Sequence, residues 1–403
     1  MNSYAALCGI AFLNGIGIGG NIPIVSARRV YDSHGVFVDQ QQDATILLEF
    51  LPTNRRFLLT GLSTFQPVGV VICSAIAYGI VPPYSCNDKL LSCNQKAPLH
   101  APPGEACCVP STNKGWRYLT FIIGGLTLAC FFFRFVLFRF QESPKYLLSK
   151  GKDAEAVKSL QYIAKYNGKT TTISIEDFNA CSESSDEALD PTATRFSAVG
   201  RNRLLTYLHG LKGLFGSKRG TRITLTIWTI YITQFWGFTM AGYLPYILAQ
   251  KNVKTEVSIQ KTYLNYIIIY SCGIPGAIIA AGLVSIRILG RKWSMFITSI
   301  GMALMCFLFT VVDTHAANIA FNGLEYFFQT AFNAILYGST PEYFPAIYRG
   351  TASGLAATCG RIMSFIAPQI GAHILVSSTN GVLYAAGGGV STHKTYSDVG
   401  TIC

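Results

Sequence analysis

The feature that most restricts this chain is a succession of apolar runs separated by polar or basic segments, each run near the ~20 residues that a helix needs to cross hydrocarbon. They lie at 5–25, 57–81, 117–138, 223–249, 263–286, 294–313, 317–340 and 350–376, with a weaker, shorter one beginning at 381. In lipid every backbone N–H and C=O must find a partner within the protein, so runs of this kind fold as packed helices. The expected fold class is therefore all-α, a polytopic membrane helix bundle. Charge usage agrees: 13% of residues are charged and 50% are apolar, against about 25% charged in soluble domains. The chain carries 32 basic and 20 acidic side chains. The basic residues sit between the runs and form no stripe with interleaved aromatics, so no nucleic-acid partner is expected.

Those basic residues orient the chain. No Lys or Arg precedes the first run, whereas Arg28, Arg29, Arg55 and Arg56 follow it. By the positive-inside rule the N-terminus is outside and the 26–56 loop is cytosolic. Alternation then places 82–116 and 250–262 outside, and 139–222, 287–293 and 341–349 inside. The segment 139–222 is polar and reads as a cytosolic linker. It contains a short amphipathic helix from Asp153 to Leu160 and a flexible stretch at 179–203.

Two loops carry the same element. Glu49-Phe50-Leu51-Pro52 is followed by Arg56 and Gly61, and Glu342-Tyr343-Phe344-Pro345 by Arg349 and Gly354, with identical spacing. Matching loops after apolar helices are what a transporter built from two parallel half-repeats would carry. Proline ends the first helix, and a nearby Glu and Arg pair where water is scarce. Glu49 with Arg56, and Glu342 with Arg349, are thus expected to act as paired latches.

The residues resemble the major facilitator superfamily, and within it the sugar-porter-like branch that includes synaptic-vesicle-protein-related transporters, in a fungal-type form. Gly15 to Pro23 looks like the fourth helix of that branch. Gln141-Glu142-Ser143-Pro144-Lys145 resembles the signature ending its sixth, Gly290-Arg291-Lys292 the loop between its eighth and ninth, and Pro341-Glu342 through Arg349-Gly350 the loop after its tenth. The resemblance implies that 1–138 is the remnant of an N-terminal half-bundle, that 139–222 links the halves, and that 223–403 is the C-terminal half-bundle. It also marks Glu142 and Arg291 as gating residues.

Departures accompany the matches. Helices one to three have no counterpart, a polar insert occupies 26–42, Ser285 stands where the branch has an acid, and the twelfth helix dissolves into a polar tail. Either the chain is a naturally shortened protein or it translates an imperfect gene model, with a late start, a retained intron at 26–42 and an error near 390; the abrupt edges favour the second reading.

Gly15, Gly17 and Gly20 formally match a dinucleotide fingerprint, with Asp39 near the spacing of its acidic partner. An apolar helical run encloses them instead of a strand and helix, so small-residue packing is the reading and no cofactor is expected. Cys86, Cys93, Cys107 and Cys108 crowd the expected outer loop, with His100 among them. An oxidising side and an even count favour disulfides over a metal site.

Polar residues inside spans are costly and mark pathways by default. In 317–340, Asn322, Glu325, Gln329 and Asn333 fall within an arc of roughly 80° at 100° per residue. They are the expected substrate-binding stripe, although bundle helices also use such residues for packing bonds. The resemblance adds Gln234 on the seventh-helix equivalent. Trp236 and Tyr243 read as interface anchors, and Arg134 as a snorkelling charge. Two functions stand side by side: a monomeric secondary transporter of a small polar solute in the lipid bilayer, coupled to protons through Glu325, and a non-transporting membrane remnant or interaction protein. An enzyme is not expected, because nucleotide-loop, zinc-protease and nucleophile-elbow motifs are all missing from the sequence.

Overall fold

The computed structural model describes residues 55–86, 112–137, 144–149, 152–169, 212–241, 258–311, 314–377 and 381–390, with short pieces at 47–48, 51, 90, 93, 106–109, 171, 173–174 and 176. The first apolar run, the polar insert at 26–42, the stretch 179–203, Glu49, Glu142, Tyr243 and the tail beyond 390 lie outside these residues. Among the described residues the chain is all helical, with no strand.

The run at 57–81 becomes α1, Phe57–Leu62, and α2, Phe65–Ile80. Pro67 supplies no N–H to the carbonyl of Ser63 and its ring crowds that group, so the turn tightens to Ser63 N–H→Thr60 O and Gln66 N–H→Ser63 O. α3, Gly115–Leu137, follows. Its Phe121, Phe132 and Phe133 are exposed. The linker carries α4, Pro144–Ser149, and α5, Asp153–Tyr166; the second has Asp153 and Glu155 in its first turn and Lys165 in its last, which suits the helix dipole.

The remaining helices are α6, Lys218–Ala241; α7, Ile259–Ser271; α8, Gly273–Ser285; α9, Gly290–Leu308; α10, His315–Ser339; α11, Ala346–Ser377; and α12, Gly381–Val390. The single span expected at 263–286 is two helices, because Pro275 in the first turn of α8 cannot continue the ladder of α7 across Cys272. Taken together, α1 with α2 and α7 with α8 are long and apolar enough to span, at mean hydropathies of 1.5 and 2.1. The Thr314 hydroxyl caps α10 by accepting from Ala317 N–H.

α10 is the centre of the bundle, packed between α8 and α9, while α6 lies on α11 and α12. The core between them holds Ile230, Tyr231, Ala331, Phe332, Ala334 and Ile335, all nearly fully buried. Glycines make the approach close enough. A Cβ on Gly276 of α8 would stand 2.5 Å from the carbonyl oxygen of Phe327, and one on Gly360 of α11 would stand 2.4 Å from the ring of Phe235. In lipid, where burial offers no extra drive between helices, this close packing is what holds them together.

The α1–α2 unit meets the bundle along its length: α1 packs on α8 and α10, and α2 on α7. At the α1–α10 crossing a Cβ on Gly338 would lie 3.0 Å from the Thr60 hydroxyl. The loop between α2 and α3 is closed by Cys86–Cys108 and Cys93–Cys107, which sets a connectivity that cysteine counting left open. Lys114 N–H donates to Tyr84 O at 2.9 Å, and the Tyr84 and Tyr118 rings meet edge to face at 5.1 Å.

Candidate transport site

Regular helix geometry places Asn322, Glu325, Gln329 and Asn333 along one side of α10, but their side chains do different work. Asn333 Oδ1 accepts from Gln234 Nε2 at 3.0 Å, so the two amides join α10 to α6 in the way that either residue type alone would be too costly to bury. Asn322 turns back on its own helix and donates to the backbone carbonyl of Asn318 at 2.9 Å. Gln329 is buried at 3% exposure. Glu325 is 7% exposed, and its Oε1 has no hydrogen-bond partner among the described residues. Tyr270 of α7 and Cys306 of α9 lie within electrostatic reach of that carboxylate.

Trp236 behaves as an anchor inside the bundle: its Nε1–H donates to Ala385 O of α12 at 2.9 Å. Tyr231 joins the same layer through its hydroxyl, 3.1 Å from that of Thr340.

Two groups of residues escaped the sequence reading. Tyr263, Tyr266 and Tyr270 recur at helical spacing along one side of α7, and Tyr266 stacks on Tyr270 at 5.9 Å between centroids. Tyr270 then meets Tyr326 of α10 edge to face at 4.9 Å. The spacing of three and four was visible in the sequence, but aromatics in apolar helices are ordinarily packing and carry no signal alone. The second is Arg361, exposed in the middle of α11. It was legible as a charge inside a span.

A separate charged cluster closes the loop after α10. Glu342 Oε1 accepts from Arg291 Nη2 at 2.6 Å, where sequence spacing paired it with Arg349. Arg349 instead donates through Nε to the Pro341 carbonyl at 2.6 Å. The reason is geometric: Arg349 lies in the first turn of α11 beside the end of the turn that carries Pro341, whereas Arg291, in the first turn of α9, reaches across to the carboxylate. Arg56, at the start of α1, is also near Glu342 and has a buried Nε without a partner among the described residues. Burial raises the Glu342 carboxyl above its ordinary value, and Arg291, Arg56 and Arg349 pull it back only in part. Residues of both expected latches therefore converge on one carboxylate, although Glu49 itself lies outside the described residues.

Comparison with known proteins places this architecture. The family model "Sugar (and other) transporter" matches residues 67–392. An uncharacterized MFS-type transporter of Schizosaccharomyces pombe is 32% identical over 384 residues, covering 91% of this chain and 62% of that protein. An MFS siderochrome iron transporter of Ceriporiopsis subvermispora is 29% identical, covering 98% of this chain and 70% of that protein. The crystallised proton:xylose symporter XylE, bound to 6-bromo-6-deoxy-D-glucose, shares the fold at a TM-score of 0.59 and 18% identity, over 90% of this chain and 67% of that one. The chain thus spans roughly six to seven tenths of the length of these relatives. On the family match, the all-helical fold and the membrane-spanning helices, the chain belongs to the sugar (and other) transporter family of the major facilitator superfamily, whose members are integral multi-pass membrane proteins.

Proposed function

We propose that this chain serves secondary transport of a small polar solute by alternating access, with Glu325 carrying the coupled proton. The observation that carries this reading is the Glu325 carboxylate: buried midway along α10, with Oε1 unpartnered among the described residues. An ion pair that served only to join helices would be closed by a cation, because an isolated buried charge costs several kcal/mol. A carboxylate left open there has a reason to exist if it takes and releases a proton as the pathway opens to one side and then the other. The Gln234–Asn333 pair and Gln329, at similar depth, supply amides that hydrogen-bond a polar solute.

Reconstituted into liposomes, the protein is expected to accumulate its solute against a gradient when an inward proton gradient is imposed. Glu325→Gln should keep solute exchange and lose the proton-driven accumulation, since the amide preserves shape but cannot cycle a proton. Proton-driven accumulation at the normal level in Glu325→Gln would remove Glu325 from coupling. Neither accumulation nor exchange of any solute from a broad panel, by folded protein, would refute transport itself.

A further inference from the structure

We propose that the solute is an organic monoanion with its carboxylate on a planar ring, held by Arg361 at the charge and by the tyrosines of α7 and α10 at the ring. The inference rests on the transport reading above and names the solute class for it.

Arg361 lies 15 residues into a helix of 32, roughly 22 Å from its first residue. An arginine at the centre of a span is costly and faces water or a protein partner as a rule. The exposed surface of α11 divides into two edges. Ile362, Ile366 and Ile370 form an aliphatic edge suited to lipid. Thr358, Arg361, Phe365 and Gln369, at spacings of three, four and four, form the other, and all four are exposed. Arg361 therefore lies on the polar edge, away from the isoleucines. The opposite side of α11, with Ala352, Ala356, Gly360 and Ala367, is buried against the bundle.

Depth brings the other groups to the same level. Tyr270 is about 16 Å and Glu325 about 15 Å from the first residues of their helices, and Gln234 about 24 Å. Helices α7, α10, α6 and α11 are neighbours in that order, α10 meeting α6 through Asn333 and Gln234. The tyrosine column thus stands at one end of this row and Arg361 at the other. Tyr266, Tyr270 and Tyr326 are only partly buried, so ring surface remains for a flat solute to stack on or meet edge-on.

Charge selects among solutes. The exposed mid-span charge is positive, while the negative one, Glu325, is withdrawn into the bundle. A guanidinium presents a planar fork of donors that matches a carboxylate. Binding a monoanion together with a proton on Glu325 would also move no net charge, which suits the proposed coupling.

The test measures binding to the whole chain in lipid nanodiscs by calorimetry, with benzoate, benzamide, N-methylpyridinium and glucose as probes. Benzoate is expected to bind at least about tenfold tighter than benzamide, the size of one charge-assisted bond. Arg361→Gln should weaken benzoate about 10- to 100-fold and leave benzamide unchanged, while Arg361→Lys recovers part of the loss. Tyr270→Leu should weaken benzoate more than acetate. The comparison of benzoate with benzamide on the unaltered chain needs no variant, so it decides the matter even where Arg361→Gln fails to fold. Preference for glucose or N-methylpyridinium would overturn the anion inference and leave transport standing. Binding of none of the probes, with no solute exchange in liposomes, would overturn both.

Discussion

Glu325 and Glu342 lie on one helix and the turn that follows it, and they are treated in opposite ways. The residue Glu325 is 7% exposed and the Glu342 side chain likewise retains 7% of its exposure, so both carboxylates are withdrawn from solvent. Glu342 is met by Arg291 at 2.6 Å with Arg56 and Arg349 close by, whereas the Oε1 of Glu325 meets no donor among the described residues. The difference separates two uses of a buried charge. A closed pair fixes where α9, α10 and the start of α1 meet, and an open carboxylate stays available to change state.

The largest effect should come from opening the closed pair. Arg291→Ala leaves Glu342 buried without its contact partner and is expected to lower stability by about 3 kcal/mol, the lower end for broken buried pairs, because two other guanidiniums remain near. The double replacement Arg291→Ala with Glu342→Ala should cost less than the sum of the single ones. Unfolding in mixed micelles with increasing SDS measures all three. Additive losses would mean that the pair is a surface contact and would erase the contrast with Glu325.

A neutral pair sets the middle of the scale. Gln234→Ala strands the Asn333 amide between α6 and α10, with an expected loss of about 1–2 kcal/mol. The same unfolding titration reads it. A loss as large as that of Arg291→Ala would show that polarity in the bundle, and not charge, decides the cost.

Much of the fold was legible before any coordinates. Apolar run length alone located every described span to within a few residues, because the bilayer leaves a chain so few options. What it missed has local causes: the break at Cys272 follows from Pro275, which a hydropathy average cannot register, and α6 begins at Lys218 because polar first-turn residues still form helix. The site was less legible. Helical projection put Asn322, Glu325, Gln329 and Asn333 on one arc, but a projection cannot say that Asn322 satisfies itself on Asn318 while Asn333 is met by Gln234. Repeat spacing likewise brought Glu342 and Arg349 into one loop, while the partner at the carboxylate came from Arg291, 51 residues away in sequence. Partner choice across helices depends on depth and rotation together, which no single run of sequence contains.

Glu325→Gln is expected to change stability by less than about 1 kcal/mol, and in the stabilising direction if at all, since no hydrogen bond to Oε1 is lost and a buried ionisable group is replaced by a neutral one. Equilibrium unfolding at neutral pH compares it with Glu342→Gln, which should be destabilising. Loss of stability in Glu325→Gln as large as in Glu342→Gln would mean that both carboxylates hold the fold, and the distinction between them would fail.

The smallest effect concerns pH and asks whether burial or the guanidiniums win at Glu342. Burial is the larger influence and raises the carboxyl above the 4.5 of an ordinary glutamate. The folded protein then keeps this proton in a window above 4.5 where the unfolded chain has already released it. Stability from this group is complete below 4.5 and declines as pH rises through the raised value. In Glu342→Gln that slope disappears, so the stability difference, unaltered protein minus variant, should fall as pH is taken from 4.5 towards neutrality. Thermal unfolding of both proteins in one detergent at matched pH steps gives the difference directly and cancels every other titrating group. A difference that grows with pH would mean that Arg291, Arg56 and Arg349 together outweigh burial; the carboxyl would then be held below its ordinary value, a latch that acid and not base releases.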